Sequence, residues 1–506
     1  MIFLIICLIF CQKEILMKND EMKKALEVVN SELKKAGISR RDAFKLAGLG
    51  GAAFLAGGTQ EAKAATISKA SEAKGKILII GGGLAGISTA ARLSNTLSEP
   101  DITIIEPNPK SVSYQAGTTL LASGIYSSKD ELVYETKDFL PKGVTLIKDK
   151  AVDFNPEANK VTLASGDILD YDFMIVAAGV VLDFGAIKGL EEIGEAYTNG
   201  DASKILKVFG NSGITSVYNI DSAEDMWKQT QTFIERAKSG EKLKAIFTAP
   251  NTAVKCGGAP KKVMYLVNSR LNEANARGNV DLTYYDNSDK LFSVKEYADA
   301  IEKQFIARDM KWNFNHNLVG VDISKKIAIF NKHWEEKGEY DKDLEEHEIV
   351  KKNQKVEVPF DFLHITPPQK APDEIGKSEI GSDKGWIPVN KETLQHVKYS
   401  NIFALGDIAA IPMGKTGGTV RKQYKVLVDN LISVMEGKEP KEYFGGYTVC
   451  PLITDIGKVM LAEFDWTAKP TPSFPLDPTQ ERWIWWLMKV YMLKPMTMHG
   501  MLSGKA

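Results

Sequence analysis

The chain has 506 residues, 44% of them apolar, and its 64 basic and 65 acidic residues leave a formal net charge of −1. A chain of that length buries a large core and divides into two or three domains. Its lysines are interspersed with acids throughout, so it lacks the basic patch that a phosphate backbone requires, which argues against nucleic acid as a partner.

The N-terminal region reads as separate from the fold. Residues 1–11, "MIFLIICLIFC", are apolar but well short of the ~18–20 residues needed to span a bilayer, and we read them as an over-long start, with Met17 or Met22 the initiator. Next comes "SRRDAFKLAGLGGAAFLAGG", with Arg40, Arg41, Phe44 and Lys45 ahead of a glycine-rich stretch, which resembles a twin-arginine export signal. Ala62-Lys63-Ala64 fits a cleavage site. Residues 1–64 are therefore expected to be a signal region and the mature chain to begin near Ala65; the alternative is an ordinary amphipathic helix end. Export by that route moves folded proteins, often around a cofactor, and the expected location is the periplasmic side of the cytoplasmic membrane.

The run "KGKILIIGGGLAGISTAARLSNTL" combines a β-branched strand at Ile77–Ile80, glycines at Gly81, Gly83 and Gly86, and an alanine-rich helix. Such glycines let the backbone turn sharply and approach a pyrophosphate, which the helix N-terminus stabilises. The strand "DITIIEP" ends in Glu106, placed to accept a hydrogen bond from a ribose hydroxyl. Two further strands fit the same dinucleotide domain: "YDFMIVAAGV", ending in Ala177-Ala178-Gly179, and "YSNIFALGDIAAIP", delivering Gly406 and Asp407.

Between these segments lies an insert with its own strands ("KAIFTAP", "VDLTYYD") and helices ("KKVMYLVNSRLNEANA", "VKEYADAIEKQFIARD"). The predicted fold is α/β, with two Rossmann-like doubly wound domains: residues 65–190 and 358–450 form the first, residues 191–357 the second, and residues 451–506 a C-terminal membrane-associating tail. The insert's first strand runs into Pro250 and Cys256 with no glycine fingerprint after it. Prolines remove amide donors and a crowded loop cannot cradle a diphosphate, so NADH is not the expected electron donor.

If the signal region is removed, Cys7 and Cys11 go with it, leaving Cys256 and Cys450. Counting alone favours a structural disulfide in an exported chain. Against that, Cys256 lies just before Pro260 and a helix, among Lys255, Lys261 and Lys262, surroundings that favour a thiolate; the lysines are equally readable as a solvated face. His364, in an apolar strand before Pro367 and Pro368, reads as a core histidine ahead of a proton relay, and no histidine–cysteine spacing suggests zinc.

The tail "RWIWWLMKVYMLKPMTMHGML" puts Trp483, Trp486, Leu487, Val490 and Tyr491 on one helical face, with Lys489 and Lys494 interrupting the apolar run. It is too interrupted to span a bilayer, yet tryptophans and lysines suit an interface. We expect a monotopic anchor on the lipid surface; the alternative is a helix packed on the protein's own core.

The segments "FTAPNTAVKCGGAPKKVMYL", "LHITPPQKAPD", "GWIPVNKETLQH", "NIFALGDIAAIP" and "GYTVCPLIT" together resemble the sulfide:quinone oxidoreductases of the flavoprotein disulfide reductase-like superfamily, particularly the branch that includes mitochondrial enzymes. The resemblance runs in order from about residue 75 to the C-terminus. It implies FAD as the cofactor, with Asp407 holding the ribityl chain and pyrophosphate, and a redox pair at Cys256 and Cys450. Sulfide would attack a bridge between them, direct or carrying an extra sulfur, leaving a persulfide assigned to Cys450 and a flavin-facing thiolate assigned to Cys256. It also implies a membrane quinone as acceptor and a small thiol, sulfide or sulfite as sulfur acceptor. Lys415, in "GKTGG", matches a lysine near the flavin ring, where a cation would stabilise charge on reduced flavin; its alternative is a surface loop lysine, and Gly417 and Gly418 depart from the family's usual alanines.

The nearest rival is flavocytochrome c sulfide dehydrogenase, which commonly tethers FAD through an early cysteine. The comparable stretch "SVSYQAGTTLLASGIYS" has none, so noncovalent FAD is expected. A non-turnover sulfur-binding or electron-carrier flavoprotein is the reading from another class. Quinone type, final sulfur acceptor and assembly into a homo-oligomer stay open.

Overall fold

The computed structural model describes residues 71–341 and 346–506; the export-signal reading, with Arg40, Arg41, Cys7 and Cys11, lies outside them. Two five-stranded parallel sheets organise the molecule. The first runs in the order Ile402–Ala404, Phe173–Val176, Lys76–Ile80, Asp101–Ile105, Thr145–Ile147. Its central strand, KILII, has both neighbours parallel and four of its five residues buried, which is why it reads as a continuous apolar run and not as an alternation. The helix Leu84–Thr96 follows it and packs against the helix Gly417–Met435, which follows the edge strand Ile402–Ala404. Two segments far apart in the chain thus share one sheet and one helical layer.

The second sheet runs Ile214–Thr215, Phe362–His364, Leu243–Ala249, Val280–Asp286, Met310–Asn313, again all parallel. Here the expected division at residues 357/358 needs correction. The strand Phe362–His364 completes the second sheet, with Leu363 in register with Ile246 on one side and Ile214 on the other. Only this sheet offers it hydrogen-bond partners on both edges, and a three-residue apolar run carries no signal of which sheet it will join.

A three-stranded antiparallel unit, His316–Asp322, Ile327–Asp341 and Glu346–Pro359, projects from the second sheet. Its long strands are charge-rich and mostly exposed, so no apolar alternation announces them. A second hairpin, Thr448–Asp455 with Lys458–Phe464, sets Cys450 opposite Ala462 and packs on the helix Ala259–Glu273.

The tail continues as Trp483–Leu487, a π-helical turn Met488–Met492, Leu493–Pro495, and a second π-helical turn Met496–Met501. Pro495 brings no N–H to the ladder, and wide turns beside it accommodate the loss. Trp485, Leu487, Met488, Val490, Met498 and Met501 are buried against the protein. Trp483, Ile484, Trp486 and Met492 are half-buried, and Tyr491 is exposed. Lys489, expected to interrupt an apolar face at the water boundary, is instead 2% exposed. Among the described residues no helix is long and apolar enough to cross a membrane.

Candidate active site

A cavity of about 620 Å³ opens where the first sheet meets its helices. Gly81, Gly83, Glu106, Ala178, Gly179, Gly406 and Asp407 all line it. The glycines there do different jobs. Gly81 has φ +107°, and a Cβ on it would lie 2.6 Å from the Ala177 carbonyl oxygen; a Cβ on Gly86 would lie 1.9 Å from the Gly81 carbonyl oxygen. These two permit close packing of strand, turn and helix. Gly83 meets nothing nearer than 3.9 Å, and no side chain caps the helix it begins, which leaves first-turn N–H groups for an anion. The Glu106 carboxylate accepts from the Gly82 and Asn108 N–H groups, each at 2.8 Å, and burial raises its pKa. Open glycine turn, uncapped helix start and ribose-side carboxylate together fit a dinucleotide such as FAD.

A second cavity, about 170 Å³, adjoins the first, sharing Tyr114, Gln115, Lys255 and Asp407 among its walls. It contains Cys256 and Cys450. The chain reaches it from the strand Leu243–Ala249 through Pro250 and a loop that ends at the helix Ala259–Glu273, with Pro260 in the first helical turn. Cys256 sits at φ +49°, a left-handed conformation that costs a non-glycine residue about 1–2 kcal/mol. Its N–H donates to the Lys415 carbonyl at 2.9 Å, and its own carbonyl accepts from the Ala259 N–H at 2.8 Å and the Tyr218 hydroxyl at 3.3 Å. Three bonds at about 1 kcal/mol each outweigh the strain.

The cysteines, unbridged in this structure, line the same cavity with the Lys262 ammonium, and Gly258 leaves room for one of them: a Cβ there would lie 2.7 Å from the Cys450 sulfur. Cys450 is 6% exposed and Cys256 half-buried. Burial raises the Cys450 pKa, and so does a charge on Cys256; the cations of Lys262, Lys489 and Lys261 pull the other way.

The three lysines near Cys256 are not a solvated face, being 7%, 4% and 3% exposed at Lys255, Lys261 and Lys262, and they diverge. Lys262 donates to the Cys256 sulfur at 3.5 Å. Burial works against its charge, but Cys256 and Cys450 outweigh that and hold its pKa above the ordinary lysine value. Lys261 turns to the second sheet, donating to the Tyr284 hydroxyl at 2.9 Å and pairing with Asp286 at 3.6 Å. Lys255 donates to Gln115 and Thr198 between the two cavities, and burial lowers its pKa to about 8. Lys415 is half-buried, with its ammonium on the carbonyls of Asp407 and Ala409 and 3.9 Å from the centre of the Trp386 ring. Burial lowers its pKa to about 8, against the pull of Asp407.

Two residues of this cavity escaped the sequence reading. Tyr218 tethers Cys256, as above. Lys489 comes from the tail and donates to the Ala116 carbonyl at 2.6 Å; burial and the charge of Lys262 lower its pKa to about 7, while the cysteines raise it. One signal existed: Lys489 lies four residues after Trp485, hence on the same helical side as a bulky apolar residue. His364 is a core residue, fully buried, stacked on Phe247 and accepting from the Val217 N–H at 3.3 Å, with burial lowering its pKa to about 3.

Comparison with known proteins shows the family to which the chain belongs. The family model for pyridine nucleotide-disulphide oxidoreductases matches residues 75–426. The chain is 35% identical over 457 residues to the mitochondrial sulfide:quinone oxidoreductase of Mus musculus, covering 90% of this chain and 93% of that one. It is also 35% identical over 432 residues to the protein of the same name from Dictyostelium discoideum, covering 85% and 86%. The X-ray structure of the sulfide:quinone oxidoreductase from Aquifex aeolicus shares the fold, with a TM-score of 0.64 at 20% identity, over 85% of this chain and 92% of that one. With the family model spanning well over half of its length and relatives matching it nearly end to end, this chain belongs to the sulfide:quinone oxidoreductase family and is an FAD-dependent oxidoreductase.

Proposed function

We propose that the protein oxidises sulfide at Cys256 and Cys450 and passes two electrons to a quinone. The observation that carries this reading is that Cys256 and Cys450 line one small cavity beside the Lys262 ammonium, at a loop where a nucleotide-binding domain would present glycines. Hydrosulfide attacks one sulfur of the oxidised pair, whether the bridge is direct or holds an extra sulfur. The attacked S–S bond breaks, one cysteine keeps the added sulfur as a persulfide and the other leaves as a thiolate. We assign the persulfide to Cys450 and the thiolate to Cys256, because the Cys256 N–H is bonded to the Lys415 loop and through it to the wall of the dinucleotide cavity.

FAD, when bound, would supply two-electron redox chemistry between the sulfur pair and the quinone. Gly81, Gly83, Glu106, Ala178, Gly179, Gly406 and Asp407 would hold it, without a covalent bond. Lys415 sets a positive charge beside Asp407, where it favours negative charge on a bound ring system. Met488, Leu493, Met496 and Met501 give the sulfur cavity an apolar side suited to a quinone. The half-buried Trp483, Ile484, Trp486 and Met492 would meet the lipid interface. The persulfide sulfur passes to a small thiol, sulfide or sulfite. Export to the periplasmic side rests on Arg40-Arg41 and Ala62–Ala64 alone, and N-terminal sequencing of the mature chain tests it.

The test of the activity is sulfide-dependent reduction of a short-chain quinone by the purified, FAD-loaded protein, with cytochrome c offered in parallel. Cys256→Ser and Cys450→Ser should each lower the rate by at least ~10³-fold, as loss of a nucleophile does. Rates unchanged in both would sink the proposal, and transfer to cytochrome c alone would favour a flavocytochrome-type partner.

A further inference from the structure

Of the acids that line the sulfur cavity, Asp407 answers the charges of Lys255 and Lys415, which leaves two further lysines to account for. Lys262 and Lys489, 3% and 2% exposed, both line it. The groups whose charge acts on Lys489 are Lys262, Cys256 and Cys450, and those acting on Lys262 are the two cysteines; no carboxylate is among them. Glu463 also lines the cavity, but its oxygens are taken by Tyr447 and Ser473. A buried ammonium is strongly unfavourable unless a negative charge answers it. The candidates at hand are the sulfurs.

Lys489 differs from Lys262 in its origin. Lys262 belongs to the helix that follows the Cys256 loop, whereas Lys489 arrives on the tail, in the π-helical turn Met488–Met492. That turn is fixed to the protein at several points. Met488 and Val490 are buried, the Val490 carbonyl accepts from the Tyr126 hydroxyl at 3.3 Å, and Lys489 itself holds the Ala116 carbonyl.

We infer that Lys489 is a positioning residue of the sulfur site: seated by the tail helix, its ammonium joins that of Lys262 in holding negative charge on the sulfur at Cys450, so that the site is complete only when the tail is in place. The inference rests on the sulfide chemistry proposed above, and the charges balance. Hydrosulfide, carrying one negative charge, forms a bond to the Cys450 sulfur while the bond to Cys256 breaks. The electron pair of the broken bond stays on Cys256 as a thiolate, and the persulfide on Cys450 ionises by releasing its proton to solvent. Two negative sulfurs then face two ammonium groups.

The test reads local charge and needs no turnover. FAD-loaded wild type, K489M, K489Q and K489R are reduced, desalted anaerobically and alkylated with iodoacetate or iodoacetamide, and label at Cys450 is quantified by peptide mass spectrometry. A cation near the thiolate favours the anionic reagent, so the iodoacetate-to-iodoacetamide rate ratio should fall roughly tenfold in K489M and stay close to wild type in K489R. K489Q keeps a donor for the Ala116 carbonyl and gives the same answer should K489M lose its FAD. An unchanged ratio in the neutral variants overturns the inference, as does K489R behaving like them. If the ratio falls yet sulfide never reduces the wild-type flavin, the proposed function fails and the charge assignment stands.

Discussion

The two parallel sheets have the same architecture and opposite loops. After Lys76–Ile80 the chain turns through Gly81, Gly82 and Gly83, with open space before Gly83 and an uncapped helix behind it. After Leu243–Ala249 it meets Pro250, holds Cys256 in a left-handed conformation and brings Gly258 against the Cys450 sulfur. In the first loop glycine makes room for a ligand, and in the second it makes room for another side chain of the same protein. A shared fold therefore says little about which small molecule a domain meets, and the loop at the strand's carboxyl end says much more.

The comparison can be broken at either loop. Gly86→Val places carbon against the Gly81 carbonyl, 1.9 Å from where a Cβ would begin, and should cost about 3 kcal/mol or more. The purified protein should lack the yellow flavin spectrum, and a normal flavin-to-protein absorbance ratio would show that Gly86 is not packed as described. Gly258→Ala strikes the second loop alone. Its Cβ would sit 2.7 Å from the Cys450 sulfur, so flavin content should stay normal while anaerobic reduction by sulfide slows by roughly 10²-fold, the usual penalty for displacing a reacting group by about 1 Å. Slowing with parallel loss of FAD would mean that the loops are not separable.

Lys415 joins the loops, and its burial-lowered pKa of about 8 gives a sign. A lysine is charged below its pKa, so the cation is present below about pH 8 and lost above it. At constant hydrosulfide concentration, flavin reduction should slow as pH rises through that value. Lys415→Met should be slower by about tenfold at neutral pH, and Lys415→Arg should keep its rate at high pH; a Lys415→Met enzyme with an unaltered rate and pH profile would contradict the role. The smallest effect is expected outside both loops. Replacing the chain between His333 and Asn353, whose described residues are mostly exposed, with a short turn should leave sulfide reduction within about twofold, as for changes away from buried features; a large loss would reveal a dependence that the fold does not suggest.

How much of this was legible in the chain varies by element, for physical reasons. The first loop announces itself because strand, glycines, helix and downstream acid fall within one short window. Cys256 and Cys450 carry no local sign that they meet. Their pairing came from the resemblance, and Gly258, which leaves room for the Cys450 sulfur, looks like any loop glycine. The strand Phe362–His364 was legible as a strand but not as a member of the second sheet, since pairing is a long-range choice. Lys489 was misplaced because a lysine in an aromatic run is ordinarily read as reaching water. Here the cavity it enters is built by residues from several other parts of the chain, and its burial depends on them. That placement also bears on the tail: removing residues 483–506 would disturb the sulfur cavity as well as any membrane contact, so Trp486→Glu with Met492→Glu is the cleaner probe of lipid binding.

The most direct measurement of the central claim, that the second sheet's loop serves sulfur and not a nucleotide, is the visible spectrum of the purified protein under anaerobic conditions as sulfide, and separately NADH, is added. The account predicts that sulfide bleaches the flavin band, that NADH at the same concentration leaves it unchanged, and that a short-chain quinone restores it. Bleaching by NADH with no response to sulfide would contradict the account.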